Sequence, residues 1–395
     1  MNVPRRNTIV VAGSLAQRPG VGGHTWVLLQ YLLGFRRLGY DVLFLDELTP
    51  DMCTDRAGAP CAFERSWNLE YFTDVMRRFG LDAAYSLSFN HGQRVTGMSR
   101  HDVIRTLDER GLLLLNIMGF LKDPGVLAAA PLKVFLDIDP GFGQMWKALG
   151  QADVFTGHDR HVTIAPRIGL PDCTIPTCGI DWVTTRQPVV LEHWPRAEAD
   201  EAARQKPFTS VASWRGAFAP VEFEGRMYGL RVHEFRKFFE LPTRTGRPFE
   251  IALKIDSVEH DDLAALARGG WQLVDPRQAA GSPDAYRDYV RNSAAEFMVA
   301  KNMYVDTRGG WFSDRSVCYL ASGRPVLAQD TGLADLYPLG EGLLTFTTLD
   351  EAAACVETID RDYARQARAA RNIAERYFDS DKVLAELLAK LGVTA

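Results

Sequence analysis

Gly309-Gly310-Trp311-Phe312-Ser313-Asp314-Arg315-Ser316-Val317-Cys318-Tyr319-Leu320-Ala321-Ser322-Gly323-Arg324-Pro325-Val326-Leu327 is the stretch around which the chain is organised. Two glycines lead into a short helix with Ser313 or Asp314 as N-cap. Gly323 ends that helix, and Pro325 opens a strand from Val326. A glycine loop feeding a helix N-terminus offers unpaired N–H groups and the positive end of a dipole, which suits a phosphate or diphosphate. Arg315 and Ser316, in the first turn, add a cation and a hydroxyl. The same pattern also fits an ordinary capped helix in an α/β domain, so the rest of the chain has to decide.

Upstream, Thr8 to Ala12 is a buried-strand run, and Gly20-Val21-Gly22-Gly23-His24 follows it. His24 to Leu38 carries Trp26, Val27, Leu29, Leu33 and Phe35 at near-helical spacing, and Asp41 to Asp46 is a second strand. Strand, glycine loop, helix and strand make one βαβ unit. A dinucleotide fingerprint needs its glycines directly after the strand. Here Gly13 and Gly20 are separated by several residues and Thr25 stands at the third glycine position, which leaves an NAD-linked dehydrogenase a distant reading. His24 fits two roles, a general base or phosphate contact, or a loop histidine capping its own helix.

Strands are expected at Leu81–Phe89, Leu112–Ile117, Leu132–Ile138, Asp153–Thr156 and Cys173–Thr177, with helices between. Runs apolar on both faces predict a doubly wound, mostly parallel sheet. Asp137-Ile138-Asp139 closes one strand; strand alternation would aim both acids to one side, open to a metal, while Asp139 alone fits an acceptor contact or base. His158 follows the next strand at a similar height.

Pro188 to Lys206 is rich in Pro, Glu, Ala and Arg and reads as a linker. A second α/β set follows, with strands at Phe208–Ser213, Phe249–Ile255, Trp271–Val274, Phe297–Ala300, Val326–Ala328 and Leu343–Phe346, and one helix expected over Arg231–Leu241. Arg215, Lys254, Lys301, Arg308 and Arg315 recur where these strands end. Converging on one sheet edge, they would hold a diphosphate and stabilise it as a leaving group without metal. The expected domains are residues 1–195, a linker at 196–206, residues 207–378, and a helix at 379–395 packing back on the first domain.

The 395 residues are 46% hydrophobic and 24% charged with a formal net charge of −5, ordinary globular composition too long for one simple core. No basic run points to nucleic acid, and no apolar run is long enough for a membrane span or signal peptide. The six cysteines match no zinc spacing and read as reduced thiols of a cytoplasmic protein.

This organisation resembles the GT-B glycosyltransferases that use sugar nucleotides, with a likeness to the CgeB-like, glycosyltransferase family 4-type bacterial proteins. Four stretches carry it: Gly22-Gly23-His24, where the family's first-domain glycine loop faces the donor phosphates, Arg215-Gly216, Ser293-Ala294-Ala295-Glu296-Phe297, and Gly310 through Val326 with its Ala321-Ser322-Gly323-Arg324-Pro325-Val326 ending. The resemblance implies two Rossmann-like domains facing across a cleft and a final helix crossing back to the first. It implies a UDP- or dTDP-sugar as co-substrate, no further cofactor, and a small-molecule or glycan acceptor such as a natural product or surface glycan. Gly309, Gly310, Ser313, Arg315 and Ser316 would bind the diphosphate with Arg215, Lys254 and Lys301, and Glu296 or Asp314 would take the ribose. The acceptor would lie near Gly22, Gly23, His24 and Asp139. If the reaction inverts, His24, then Asp139, then His158 are the candidate bases; if it retains, His24 is a substrate contact. Many relatives carry two glutamates in the fourth stretch, at places that fall on Gly310 and Cys318 here. That departure leaves the donor and the retaining or inverting outcome open and keeps a non-catalytic nucleotide-sugar binder as one alternative; a sugar-nucleotide epimerase of the same architecture, which needs the donor site but no separate acceptor, is the other.

Overall fold

The computed structural model describes residues 6–216 and 218–393. Two parallel sheets are built in succession. The first contains β1 Thr8–Ala12, β2 Asp41–Leu48, β3 Tyr85–Phe89, β4 Arg94–Gly97, β5 Gly111–Ile117, β6 Lys133–Asp137, β7 Arg160–Thr163 and β8 Trp182–Thr184, in the order β4-β3-β2-β1-β5-β6-β7-β8. Every pair is parallel except β3 with β4. The second lobe begins with β9 Phe208–Ser213, carries a small antiparallel hairpin of β10 Val221–Phe223 and β11 Arg226–Tyr228, and continues with β12 Phe249–Lys254, β13 Trp271–Val274, β14 Ala295–Met298, β15 Val326–Gln329 and β16 Leu343–Phe346. Its sheet runs β13-β12-β9-β14-β15-β16, all parallel. This is the two-lobed α/β architecture of the GT-B class.

The central strands are those with long apolar runs: β1 is buried at every residue and β5 at all but one. Burial on both faces follows from helices covering each side of a parallel sheet. The edges differ from expectation. Asp153–Thr156 is a turn, because the Asp153 carboxylate accepts from the backbone N–H groups of Phe155 (3.0 Å) and Thr156 (3.1 Å). Cys173–Thr177 is irregular and lies against the second lobe, with the Thr174 N–H donating to the Thr307 carbonyl at 3.0 Å. The strands here are instead the short, mixed-polarity β7 and β8. The helix expected over Arg231–Leu241 breaks into Arg231–Arg236 and Leu241–Thr245, with Pro242 opening the second piece.

The segment read as a linker is not loose. Val189, Val190 and Trp194 are fully buried, and Trp194 packs on Trp26 with ring centroids 5.0 Å apart. The chain crosses between lobes there and again at Phe378–Ser380, and the two crossings are hydrogen-bonded: Val189 N–H to Phe378 carbonyl at 2.7 Å, Ser380 N–H to Val189 carbonyl at 3.0 Å. The final helix, Ser380–Lys390, packs on the first-lobe helix Gly22–Arg37. Gly34 makes that possible, since a Cβ there would lie 2.4 Å from Leu384 Cδ1. One hydrophobic cluster runs through both lobes, including Trp26, Trp194, Tyr286 and Phe312.

Candidate active site

In each sheet the strand order reverses next to its first strand, between β1 and β5 and between β9 and β14. Loops leaving such neighbours diverge and open a crevice beyond their carboxyl ends, where ligands bind in doubly wound folds. Here the two crevices face each other across a cleft of about 780 Å³. The first lobe supplies Gly23, His24 and Asp139 to its wall; the second supplies Lys254, Lys301 and Arg315. An inner chamber of about 240 Å³ shares Arg18, His24, Asp139, Lys301 and Arg315 with the cleft.

The cleft is electropositive. Arg18, Arg231, Lys254, Arg277, Lys301 and Arg315 line it, against Asp139, Asp275 and Asp314. Cations crowded into a low-dielectric crevice draw in and hold anions. Arg231 is the most informative: its Nε is buried with no hydrogen-bond partner among the described residues, and burial, aided by the nearby Arg315 charge, pushes its pKa down to about 10. A buried donor without an acceptor is costly, and a ligand anion is what would satisfy it.

Lys301 follows β14 and reaches across the cleft. Its Nζ lies 3.0 and 2.9 Å from the two Asp139 oxygens and 4.7 Å from the centre of the Phe142 ring. Tyr304 donates its hydroxyl to the same carboxylate. Burial pulls the Lys301 pKa down, and the Asp139 charge opposes it. Arg315 is anchored from behind: Nε pairs with Glu296 at 2.5 Å, and one terminal nitrogen donates to the Val211 carbonyl at 2.9 Å. His24 Nε2 lies 3.1 Å from both the hydroxyl and the carbonyl oxygen of Ser14. Burial, then the Arg18 charge, push its pKa down to about 4, so the ring is neutral at pH 7. Asp314 sits at the helix start beside this chamber, its pKa raised chiefly by burial.

Several expected placements are corrected. Gly309 and Gly310 do not face the cleft. A Cβ on Gly309 would lie 2.7 Å from Ile175, and Gly310, at φ +74°, packs under Leu336, Arg167 and Pro166. Their smallness serves the seam between lobes. Ser313 caps the Asp314–Ala321 helix, accepting from the Arg315 N–H at 3.2 Å, and reaches only the inner chamber. Ser316 is fully buried and lines no part of the cleft. Glu296 is also fully buried, engaged by Arg315, so it has no reach to a ribose. Arg215 turns outward to Glu259, and Arg308 to Asp330 and Asp172, so only Lys254, Lys301 and Arg315 of the five expected cations converge.

Gly22 meets the second lobe rather than a phosphate, since a Cβ there would lie 2.2 Å from the Ser282 carbonyl oxygen. Trp26 Nε1 donates to the Pro283 carbonyl at 2.8 Å beside it. His158 lies outside the cleft, bonded to the Phe155 carbonyl (2.9 Å) and Asn116 (3.1 Å). Asp137 and Asp139 part company, because β6 ends at Asp137 and alternation ends with it. Asp137 turns into the protein toward Gln144 (2.6 Å) and Thr163 (3.0 Å), its pKa pushed up to about 6 by burial. The Asp-x-Asp pair is therefore not a joint metal clamp.

Arg18, Arg231 and Arg277 were not among the expected site residues. Arg18 lies two residues before Gly20, and Arg231 opens a helix two residues after Gly229, so a cation close to a glycine was the available signal for these two; Arg277, second in the Pro276–Ala280 helix, carried no such signal.

Fold and site together define a GT-B protein with an anion-attracting cleft. A family model described as glycosyl transferase-like matches residues 236–389, which lie almost wholly in the second lobe. A search of curated protein sequences finds no match. Among solved structures, AviGT4, a glycosyltransferase involved in avilamycin A biosynthesis, aligns over 97% of this chain and 96% of its own at 14% identity and a TM-score of 0.54. HepE (Alr3699) of Anabaena in complex with UDP-glucose aligns over 98% and 100% at 12% identity and 0.57. An alpha-glucosyltransferase in complex with UDP and a 13-mer DNA aligns over 98% and 99% at 8% identity and 0.58. At these identities the shared property is the fold.

Proposed function

We propose that this protein is a glycosyltransferase that moves a sugar from a nucleoside-diphosphate sugar, UDP-linked in the first instance and dTDP-linked as the alternative, to a hydroxyl or amine acceptor. The observation that carries this is Arg231, whose buried Nε has no partner among the described residues, beside Lys301 and Arg315 at the β9/β14 crossover, facing Asp139 and His24 across the cleft. The glycosyl transferase-like match to the second lobe and the UDP-bound neighbours of the same fold support it. Kinship with the CgeB-like proteins, and a place in natural-product or surface-glycan assembly, belong to the same proposal.

Arg231, Lys301 and Arg315 would hold the diphosphate and stabilise charge as it leaves, which needs no proton transfer to the phosphate. With Glu296 out of reach, Asp314 is the carboxylate left for donor hydroxyls. His24, neutral and weakly basic, serves as a hydrogen-bonding contact; if the reaction inverts, Asp139 takes the acceptor proton once the diphosphate draws Lys301 away. The closed lobes, tied at Trp26–Pro283, keep water from the donor.

Titration calorimetry with UDP, dTDP and GDP tests the donor half, and absence of binding by all three refutes the reading. Incubation with UDP-glucose alone should return the sugar unchanged, whereas an isomerised sugar would make the protein an epimerase.

A further inference from the structure

A second large cavity, about 630 Å³, lies wholly in the first lobe and has no part in the donor site. Its volume falls in the range of small-molecule pockets, roughly 300–1,000 Å³. We propose that it is the acceptor pocket, and that it takes an uncharged, largely apolar molecule bearing a hydroxyl group. This rests on the transferase reading and deepens it by naming the acceptor's chemistry.

Three observations carry it. The first is the wall. Leu45 from β2, Val95 from β4, Val103 from the Arg100–Arg110 helix, and Phe120, Leu121 and Val126 after β5 give a mostly apolar lining. Burial of apolar ligand surface against such a wall is what drives binding.

The second is the state of the charges. Arg100 and Asp123 form a two-point ion pair at 2.6 and 2.7 Å. Asp46 is taken up by the backbone N–H groups of Ala16 (2.6 Å) and Glu47 (2.8 Å), and Glu47 lies 3.3 Å from His91. Lys122 stands exposed at the mouth. The charges inside thus answer one another, leaving none to select an ionic ligand. A neutral polar group does find an opening: the Thr49 hydroxyl, on a lining residue, is buried with no partner among the described residues.

The third is continuity. Phe120 lines both this cavity and the inner chamber that contains His24, Asp139 and Lys301. Gln17 on its wall is followed directly by Arg18 in the cleft. Donor cleft, inner chamber and apolar cavity are therefore neighbours, with Phe120 as the wall between the last two, and under the proposal a molecule seated in the cavity extends its hydroxyl past Phe120 toward Asp139.

The test uses 4-methylumbelliferone in mildly acidic buffer, where this fused-ring phenol is uncharged and its fluorescence reports binding. The full-length protein should bind it saturably at one site. Ser88→Trp, placed on β3 in the cavity wall, should weaken that binding at least tenfold while leaving UDP affinity unchanged by calorimetry. Met52→Trp, at a half-exposed rim position, is the second variant should Ser88→Trp not fold, and should also weaken binding severalfold. Thr49→Val should cost a further severalfold factor through the hydroxyl alone. Saturable dye binding that ignores the folded tryptophan variants overturns the proposal, as does no saturable binding to a wild-type protein that binds UDP. Loss of UDP binding in the wild type would instead strike the transferase reading.

Discussion

Replacing Arg231 by methionine should move stability and ligand affinity in opposite directions. The guanidinium opens the Arg231–Arg236 helix at the cleft wall, with its Nε unpartnered among the described residues and Arg315 near enough to repel it. Its pKa falls from the ordinary guanidinium range to about 10, and at 1.36 kcal/mol per pH unit the empty fold carries this charge at a cost on the order of 3 kcal/mol. Methionine keeps much of the unbranched stem and removes the charge. The variant without ligand should therefore be at least as stable as wild type, by up to about 3 kcal/mol in urea unfolding. A diphosphate accepting a charge-assisted bond from Arg231 gains about 1.5–3 kcal/mol, so UDP should bind the variant roughly 10- to 150-fold more weakly. Calorimetric titration at two salt concentrations reads the second effect, and the affinity loss should shrink at high salt. Unchanged UDP affinity, or a destabilised variant that binds normally, would refute the reasoning.

Glu296→Ala should cost about 3–5 kcal/mol in unfolding free energy, because it strands the buried Arg315 charge; a loss under about 1 kcal/mol would mean Arg315 finds another partner. Gly22→Ala brings a Cβ to within 2.2 Å of the Ser282 carbonyl oxygen, so the lobes must separate; small-angle scattering should give a larger radius of gyration, and an unchanged one refutes the wedge. Asp46 has its pKa pushed up to about 7 by burial, above an unfolded value of about 3.9. The fold thus holds an extra proton between about pH 4 and 7, and this group's contribution to stability falls as pH rises through that window. Asp46→Asn lacks the slope, so its stability relative to wild type should rise from pH 5 to pH 8 in urea unfolding; a constant difference would contradict the assignment.

The two parallel sheets were legible because their central strands are apolar on both faces, a pattern such as Thr8–Ala12 states locally. The edge strands were not, since Arg160–Thr163 is short and half polar, while Asp153–Thr156 offers an Asp that makes its own turn. Cations at strand ends were visible as residue types, but their directions were not. Arg215 and Lys254 each stand at the end of a strand, yet Arg215 meets Glu259 and leaves the cleft. Gly309-Gly310 before a helix has the local text of an anion loop, and only Ile175 and Leu336, distant in sequence or across the lobe seam, reveal a steric purpose. Glu296 looked like a free carboxylate until its partner, nineteen residues on, was placed beside it. Whatever depended on contact between distant segments lay outside local periodicity and capping rules.

The paired crossings at Val189 and Phe378–Ser380 restrict how the two lobes can move apart. Two backbone segments stitched edge to edge behave as adjacent pins of one door, so opening reduces to rotation about a single line. Loosening those pins should therefore alter the rate at which a ligand bound in the cleft escapes, while leaving the residues that line the cleft untouched.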